Sequence, residues 1–459
     1  MINEGCYEEK GNVFEEKSIN QLIVLFSLPT ICSLVLESLS AMIDTAFAGH
    51  LGAVSGDALS AMGILSPVLQ ILIAAQLIFG VSTSIVISKR LGENNGEKIN
   101  NTFKVGFYAS LISSTLISLG IFLFQNKLMV LIGAEGQVLK FAKEYLNIAV
   151  IFNIFSSVGY MLINNIRVLG YPKIEIMVGV LSTIIHIIFN IIFTYGFNLG
   201  IKGIAIASLI SEMFYFGFSM IFLIKKGLWI RKSKLNLKEV KNILFSLVKI
   251  GFVQFLMQSL NSISAFIINK VLMVYGSVYY VGAWSVCSSI NSVVLLPLIG
   301  LTQGAQSIIA YFHGSKDKNR KKEAKYSTVK YSVIYSVVVT LVMLIFADKV
   351  LRIFTGDLNL LALALPIIKI ILIGFPLMGI LYTVITFMQV SGEERRASTM
   401  EVIRQIVLQI PLSIALPALF SRWSIMNISA QVSIFYSIPI STLLVLLIYS
   451  KRIKIILKN

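Results

Sequence analysis

Twelve apolar runs, each long enough to cross a bilayer, leave this chain few ways to fold. Bounded by Gly, Pro, Asn and charge clusters, they cover about 20–48, 56–88, 103–125, 138–166, 173–196, 202–224, 244–274, 278–312, 328–347, 360–390, 398–420 and 427–450. Backbone in lipid must satisfy its own hydrogen bonds, and these runs are too long for barrel strands, so all twelve are predicted to be helices. At about 20 residues per span they need about 240 apolar residues, and 56% of the 459 residues are apolar or aromatic. Only 13% are charged, about half the share of a soluble domain. The fold class that follows is an all-α polytopic membrane protein.

The net charge of +17 does not point to nucleic acid, because charges this sparse build no continuous phosphate-binding face. It reads instead as topology. With both termini inside, 30 of the 39 Lys and Arg fall in the tail and inside connections, seven fall outside, and Lys270 and Lys369 lie within spans. That bias sets both termini in the cytoplasm of a multi-pass cell-membrane protein. Lys270 and Lys369 sit near outer helix ends, where long side chains snorkel to the interface. The acidic tail 1–18 lacks the basic start of a cleaved signal, and the run after it is too long for one. The basic connection 225–241 divides the spans into an N-lobe (19–224) and a C-lobe (242–459). Cys6, Cys32 and Cys287 are far apart and imply neither a disulfide framework nor a metal site.

The two halves repeat. Gly92 and Gly170 lie 78 apart, as do Gly314 and Gly392; Gly133 and Gly356 hold matching places between them. Ser-Leu-Ser-Ala at 38–41 matches Ser-Ile-Ser-Ala at 262–265, and Gly52 matches Gly276, at an offset of 224. Six spans repeated as six put the copies in one orientation, related by a pseudo-two-fold along the membrane normal, with a cavity between: a transporter plan. The repeat also gives an internal comparison. Asp44 corresponds to Ile268, so the fold does not need an acid there. His186 and Asn190 correspond to Leu408 and Leu412, although a slip of one residue brings Gln409 opposite His186.

Ionisable groups inside spans cost about 2.5–3.5 kcal/mol at the helix centre and are functional candidates. In the first half they are Glu37, Asp44, His186 and Glu212, with Asn190 and Ser208 nearby. Counted from the outer helix ends at 1.5 Å per residue, Asp44, Asn190 and Ser208 lie about 8 Å deep, Glu212 and His186 one turn deeper, and Glu37 about two turns below Asp44. Three helix faces carrying them would form a water-accessible pocket able to hold a proton or a cation. Pro29 frees a carbonyl in the helix that bears Asp44 and can bend it. The second half shows no acid deep in its spans. It offers Gln254, Gln258, Asn261, Asn291, Gln303 and Gln306 among Met and aromatics, a cavity wall suited to varied amphipathic molecules.

These residues resemble the multidrug and toxic compound extrusion (MATE) transporters along essentially the whole chain. Leu-Pro-Thr-Ile around Pro29 followed by Ile-Asp-Thr-Ala-Phe-Ala-Gly at 43–49 is similar to that family's first helix. Arg-Val-Leu-Gly-Tyr-Pro at 167–172 is similar to its fourth-to-fifth helix turn, and 199–208 to its sixth-helix entry. The resemblance is to prokaryotic members, closer to the DinF-like branch than to NorM. It implies export of small organic compounds driven by Na+ or H+, with no other cofactor, alternating access of two lobes, and Asp44 in the cation site, with Asn190 beside it as a Na+ ligand. A monomer is expected. Where the family usually has Asn and then Asp four apart on the fifth helix, this sequence has His186 and Asn190. Glu212 stands where an amide is common, which suggests that it restores the missing charge, and that Glu212→Gln disables coupling nearly as severely as Asp44→Asn.

Other readings fit less well. A lipid-linked oligosaccharide flippase of related fold is the alternative, but its cavity would call for basic residues. No GxxxxGK[ST] loop supports ATP drive. His50, His186 and His313 belong to no Ser/His/Asp set or HExxH motif, so an enzyme is not expected. A receptor or structural protein would not need acids confined to one lobe.

Overall fold

The computed structural model describes residues 13–230, 235–354, 356–423 and 429–458. Residues 1–12 of the expected tail, with Cys6, lie outside the described residues, as do 231–234 of the expected linker. Among the described residues there is no strand, and eleven helices are long and apolar enough to cross a membrane, with one bent pair as a twelfth. The first half comprises α1 (Ile19–Gly49), α2 (Ser55–Gly92), α3 (Gly96–Leu131), α4 (Gly136–Val168), α5 (Pro172–Asn190) and α6 (Ile201–Lys225). The second comprises α7 (Leu237–Tyr275), α8 (Val278–Gly314), α9 (Lys318–Phe354), α10 (Leu358–Ile373), α11 (Phe375–Val390), α12 (Glu394–Val402), α13 (Ile410–Trp423), α14 (Ala430–Ser433), α15 (Ser437–Ile448) and α16 (Ser450–Lys458).

Helices overrun the apolar runs where polar helix-formers flank them. α9 starts at Lys318 rather than 328 because Lys, Arg, Glu and Ala prolong a helix into water without adding hydropathy. The run over 360–390 is two helices meeting at 44° around Gly374. Pro376 offers no N–H to the Leu372 carbonyl; the Thr340 hydroxyl donates to it instead, at 2.9 Å. Gly374 fits there because a Cβ would lie 2.7 Å from Pro439. By contrast α1 continues unbroken through Pro29.

The fifth helix of each half contains a π-turn. Ile191–Gly196 follows α5, and Ile403–Gln409 joins α12 to α13. A π-turn widens the helix by one residue, so by the end of 403–409 the register is displaced by one from the 222 spacing of Gly170 and Gly392. Gln409 is thus the counterpart of His186, and Ser413 that of Asn190.

By contact the chain divides into two units, one of Met1–Ser18, Val24–Phe255 and Ala310–Lys316, the other of Ile19–Ile23, Leu256–Ile309 and Asp317–Asn459. The division falls inside α7 and also crosses the start of α1 and the end of α8. In the first unit α4 packs against α2, α3 and α6, around Ala61, Met62, Leu146 and Ile204. Within the same unit the ends of α2 and α8 meet backbone to backbone: a Cβ on Gly92 would lie 2.0 Å from the Tyr311 carbonyl oxygen, and one on Gly314 1.9 Å from that of Lys89. Both pairs are related by the same step of 222 residues. The second unit is cored by Trp284, Leu351, Ile368 and Phe435. Its C-terminal helix α16 is pinned by an Arg452–Glu393 ion pair and by buried Lys325, which donates to the Ile456 carbonyl at 2.9 Å. Cys32 and Cys287 are free thiols.

Candidate functional site

Helix α1 sets Ser33, Glu37, Ser40 and Asp44 along one face, and that face lines a cavity of about 210 Å³ in the first unit. At one end Asp44 is 6% exposed and is ringed by donors. Its Oδ2 accepts from the Tyr145 hydroxyl and from Ser208 Oγ, each at 3.0 Å. Oδ1 faces His186 Nε2 at 2.8 Å and the Asn190 amide nitrogen at 3.4 Å. His186 Nε2 also lies 2.9 Å from the Asn190 amide nitrogen and 3.2 Å from Ser208 Oγ, and its buried Nδ1 has no hydrogen-bond partner. Asn190 Oδ1 is also buried and unpartnered. The structure therefore brings Asp44, His186, Asn190 and Ser208 into one cluster. Tyr145, on α4, is a member that sequence reasoning missed: a tyrosine in an apolar helix looks like any core aromatic.

Glu37 and Glu212 lie in the same cavity but not on Asp44. Glu37 is seven residues away along α1, about 10 Å, and is exposed to the cavity, where Gln76 Nε2 approaches it at 3.5 Å. Gln76 in turn accepts from Ser156 at 3.3 Å. Glu212 is half-buried beside Ser156.

At the other end Arg167 and Glu175 form an ion pair at 2.9 Å, with both residues 2% exposed. Arg167 also donates to Thr30 Oγ1 at 2.7 Å and to Asn164 at 2.6 Å, next to Pro29. Its place as an inside-loop base is corrected here: the guanidinium is buried. The signal lay in an Arg and a Glu eight apart across a Leu-Gly-Tyr-Pro turn. Four carboxylates (Glu37, Asp44, Glu175, Glu212) and a single guanidinium line this cavity.

In the second half the expectation of no deep acid is overturned. Glu401 is 0% and Arg404 2% exposed, and they pair within the helix; Arg404 too leaves the inside-loop count. Gln306 is 1% exposed and donates to Gln389 at 2.9 Å, so it packs the interior rather than lining a wall. Gln303 is buried as well. Gln258 and Asn291 are half-buried and Asn261 exposed in the second unit; Gln254 is half-buried in the first. Lys270 and Lys369 are exposed, as snorkelling residues are. Among the described residues no three His, Cys, Asp or Glu converge to hold a metal ion.

The MatE family model matches residues 29–192 and 250–415. The chain is similar to the multidrug export protein MepA of Staphylococcus haemolyticus, 27% identical over 91% of this chain and 92% of that protein. It is 25% identical to MepA of Staphylococcus aureus, over 91% and 93%. In fold it is similar to the outward-facing conformation of a multidrug resistance MATE family transporter of the MOP superfamily, with TM-score 0.87, 20% identity, and 98% and 99% of the two chains covered. A structure of the Vibrio cholerae MATE transporter VcmN is similar at TM-score 0.86 and 19% identity, over 96% and 99%.

Proposed function

The chain belongs to the MatE family, and on that premise we propose that it exports small amphipathic organic compounds, cations among them, in exchange for Na+ or H+ taken up at Asp44. One observation carries the reading: four carboxylates share a cavity with one guanidinium. Arg167 balances only one of them, Glu175. Carboxylates that share a cavity and that no guanidinium or ammonium offsets favour uptake of a proton or a cation. The cluster around Asp44 suits either. For a proton, one oxygen of Asp44 is the acceptor; for Na+, the Asp44 carboxylate, Ser208 Oγ and the unpartnered Asn190 Oδ1 supply hard oxygen ligands.

Coupling follows from exchange. An empty Asp44 holds α1 to α4, α5 and α6 through its donors; a cation competes for the same oxygens and loosens α1 from them. Alternating access of the two lobes would then follow the state of α1. The same acidity disfavours a pyrophosphate-linked substrate, which would need bases in the cavity. Gln254, Gln258, Asn261 and Asn291 remain the substrate-facing candidates. Both termini are assigned to the cytoplasm: with Arg167 and Arg404 set aside as buried, inside bases still outnumber outside ones four to one. The transporter is taken to act as a monomer.

Dye efflux from proteoliposomes, with Na+ and pH gradients imposed separately, tests the reading. One gradient should drive efflux and Asp44→Asn should abolish the drive. Efflux indifferent to both gradients would overturn it.

A further inference from the structure

The residues that frame the first half's cavity have counterparts in the second, and an ion pair stands among them. The repeat pairs Glu37 with Asn261, Ser40 with Ser264 and Tyr160 with Tyr382; Gln405, inside the π-turn, falls opposite Ser182 and Thr183. Every first-half member of this set lines the open cavity. The second-half members surround an ion pair instead. Gln405 Nε2 donates to Glu401 and, at 3.0 Å, to Asn261 Oδ1, while Ser264 Oγ donates to Gln405 Oε1 at 2.8 Å. Tyr382 stands beside the pair and is hydrogen-bonded to Asn261.

Arg404 reaches both oxygens of Glu401, through Nη2 and, at 3.2 Å, through Nε. Its Nη1 donates at 3.3 Å to Gln409, the counterpart of His186. The guanidinium thus occupies, at the level of Glu37, a site framed by the residues that in the first half frame open space. It is covalently tethered three residues from the acid it neutralises, so no gradient can exchange it.

We propose that Arg404 is a built-in counter-cation: it does permanently in the second half what an exchangeable cation does in the first, and so confines cation coupling to the Asp44 cavity. This rests on the reading of that cavity as the cation site. Removing the guanidinium should expose a second one. Arg404→Met keeps much of the side-chain length, leaves Glu401 among Gln405, Asn261 and Ser264 without its charge partner, and vacates space for an ion beside it.

The experiment counts cations bound per purified chain, as Na+ bound at alkaline pH and as protons taken up in Na+-free difference titration against wild type. Arg404→Met should bind one cation more than wild type; Arg404→Lys and the neutral pair Glu401→Gln/Arg404→Met should not. In the Asp44→Asn background, Arg404→Met should still show the gained cation. A folded Arg404→Met that binds no more than wild type overturns the proposal. A second measurement needs no change at Arg404: cation binding that persists in Asp44→Asn and disappears when Glu401→Gln is added also overturns it. If instead Asp44→Asn alone leaves all cation binding intact, whatever the state of Glu401, the reading of the first cavity fails and this inference fails with it.

Discussion

The Tyr145 hydroxyl donates to Asp44 Oδ2 at 3.0 Å and ties α4 to α1 across 101 residues of chain. A hydrogen bond to a charged group contributes about 1.5–3 kcal/mol, and this one stabilises the empty, negative carboxylate. Tyr145→Phe should therefore tighten cation or proton binding about tenfold or more and slow turnover, because release becomes the harder step. The concentration of driving ion at half-maximal efflux measures the first effect, and saturated efflux rate the second.

Asp44→Asn and Glu212→Gln should not be equivalent, although the sequence suggested near equivalence. Asp44 is the hub of the donor ring, whereas Glu212 lies beside Ser156 with no hydrogen bond to Asp44. Ion-driven efflux should be lost in the first variant and retained in the second with about tenfold weaker ion affinity, the effect of one charge removed from a shared cavity.

Breaking one side of the Arg167–Glu175 pair should destabilise the protein by about 3–5 kcal/mol, since it strands the other charge in the interior. Arg167→Met with Glu175→Leu should recover most of that loss. Thermal unfolding in detergent would separate the two cases; equal melting of the single and double variants would count against a buried pair.

Gly314→Ala places a Cβ 1.9 Å from the Lys89 carbonyl oxygen. Backbone on the other side cannot rotate away as a side chain could, so a loss of about 1–3 kcal/mol or a separation of the two helix ends follows. Gly92→Ala should act alike. A disulfide between cysteines placed near these ends would report separation by a slower rate of formation.

Glu393, outside the membrane, has its carboxyl held below the usual value near 4.5 by Arg452, with Arg396 assisting. A depressed folded value means that the stabilisation is present above the unfolded value and is lost as pH falls through the folded one. The hold on α16 should therefore weaken only below about pH 4.5. Amide exchange across 450–458 should rise in that window, and Glu393→Gln should raise it already at neutral pH.

The membrane helices were legible because hydropathy and helix length coincide wherever lipid demands both. Their ends were not, since the first turns of α9 are helix in water. The members of the Asp44 ring that carry amide, imidazole or hydroxyl on α5 and α6 stood out by depth, but Tyr145 could not, because its ring suits the core as well as its hydroxyl suits the site. Arg167 and Arg404 were misplaced for a common reason: close to the edge of an apolar run, a base looks solvated unless the acid that buries it is recognised. The π-turn at 403–409 was equally silent, as a one-residue widening leaves no mark in composition and surfaces only as an ambiguous register between His186 and Gln409.

The reciprocal packing of Gly92 and Gly314 has the geometry of an isologous interface, in which residue i meets j and j meets i. A chain of half the length would meet its own copy in the same manner, so joining the halves adds no new kind of contact there. What it adds is licence for the halves to differ. In a symmetric pair, an arginine at the position of Arg404 would close both cavities at once or leave both open; only a fused chain can keep one cavity for the ion and fill the other for good.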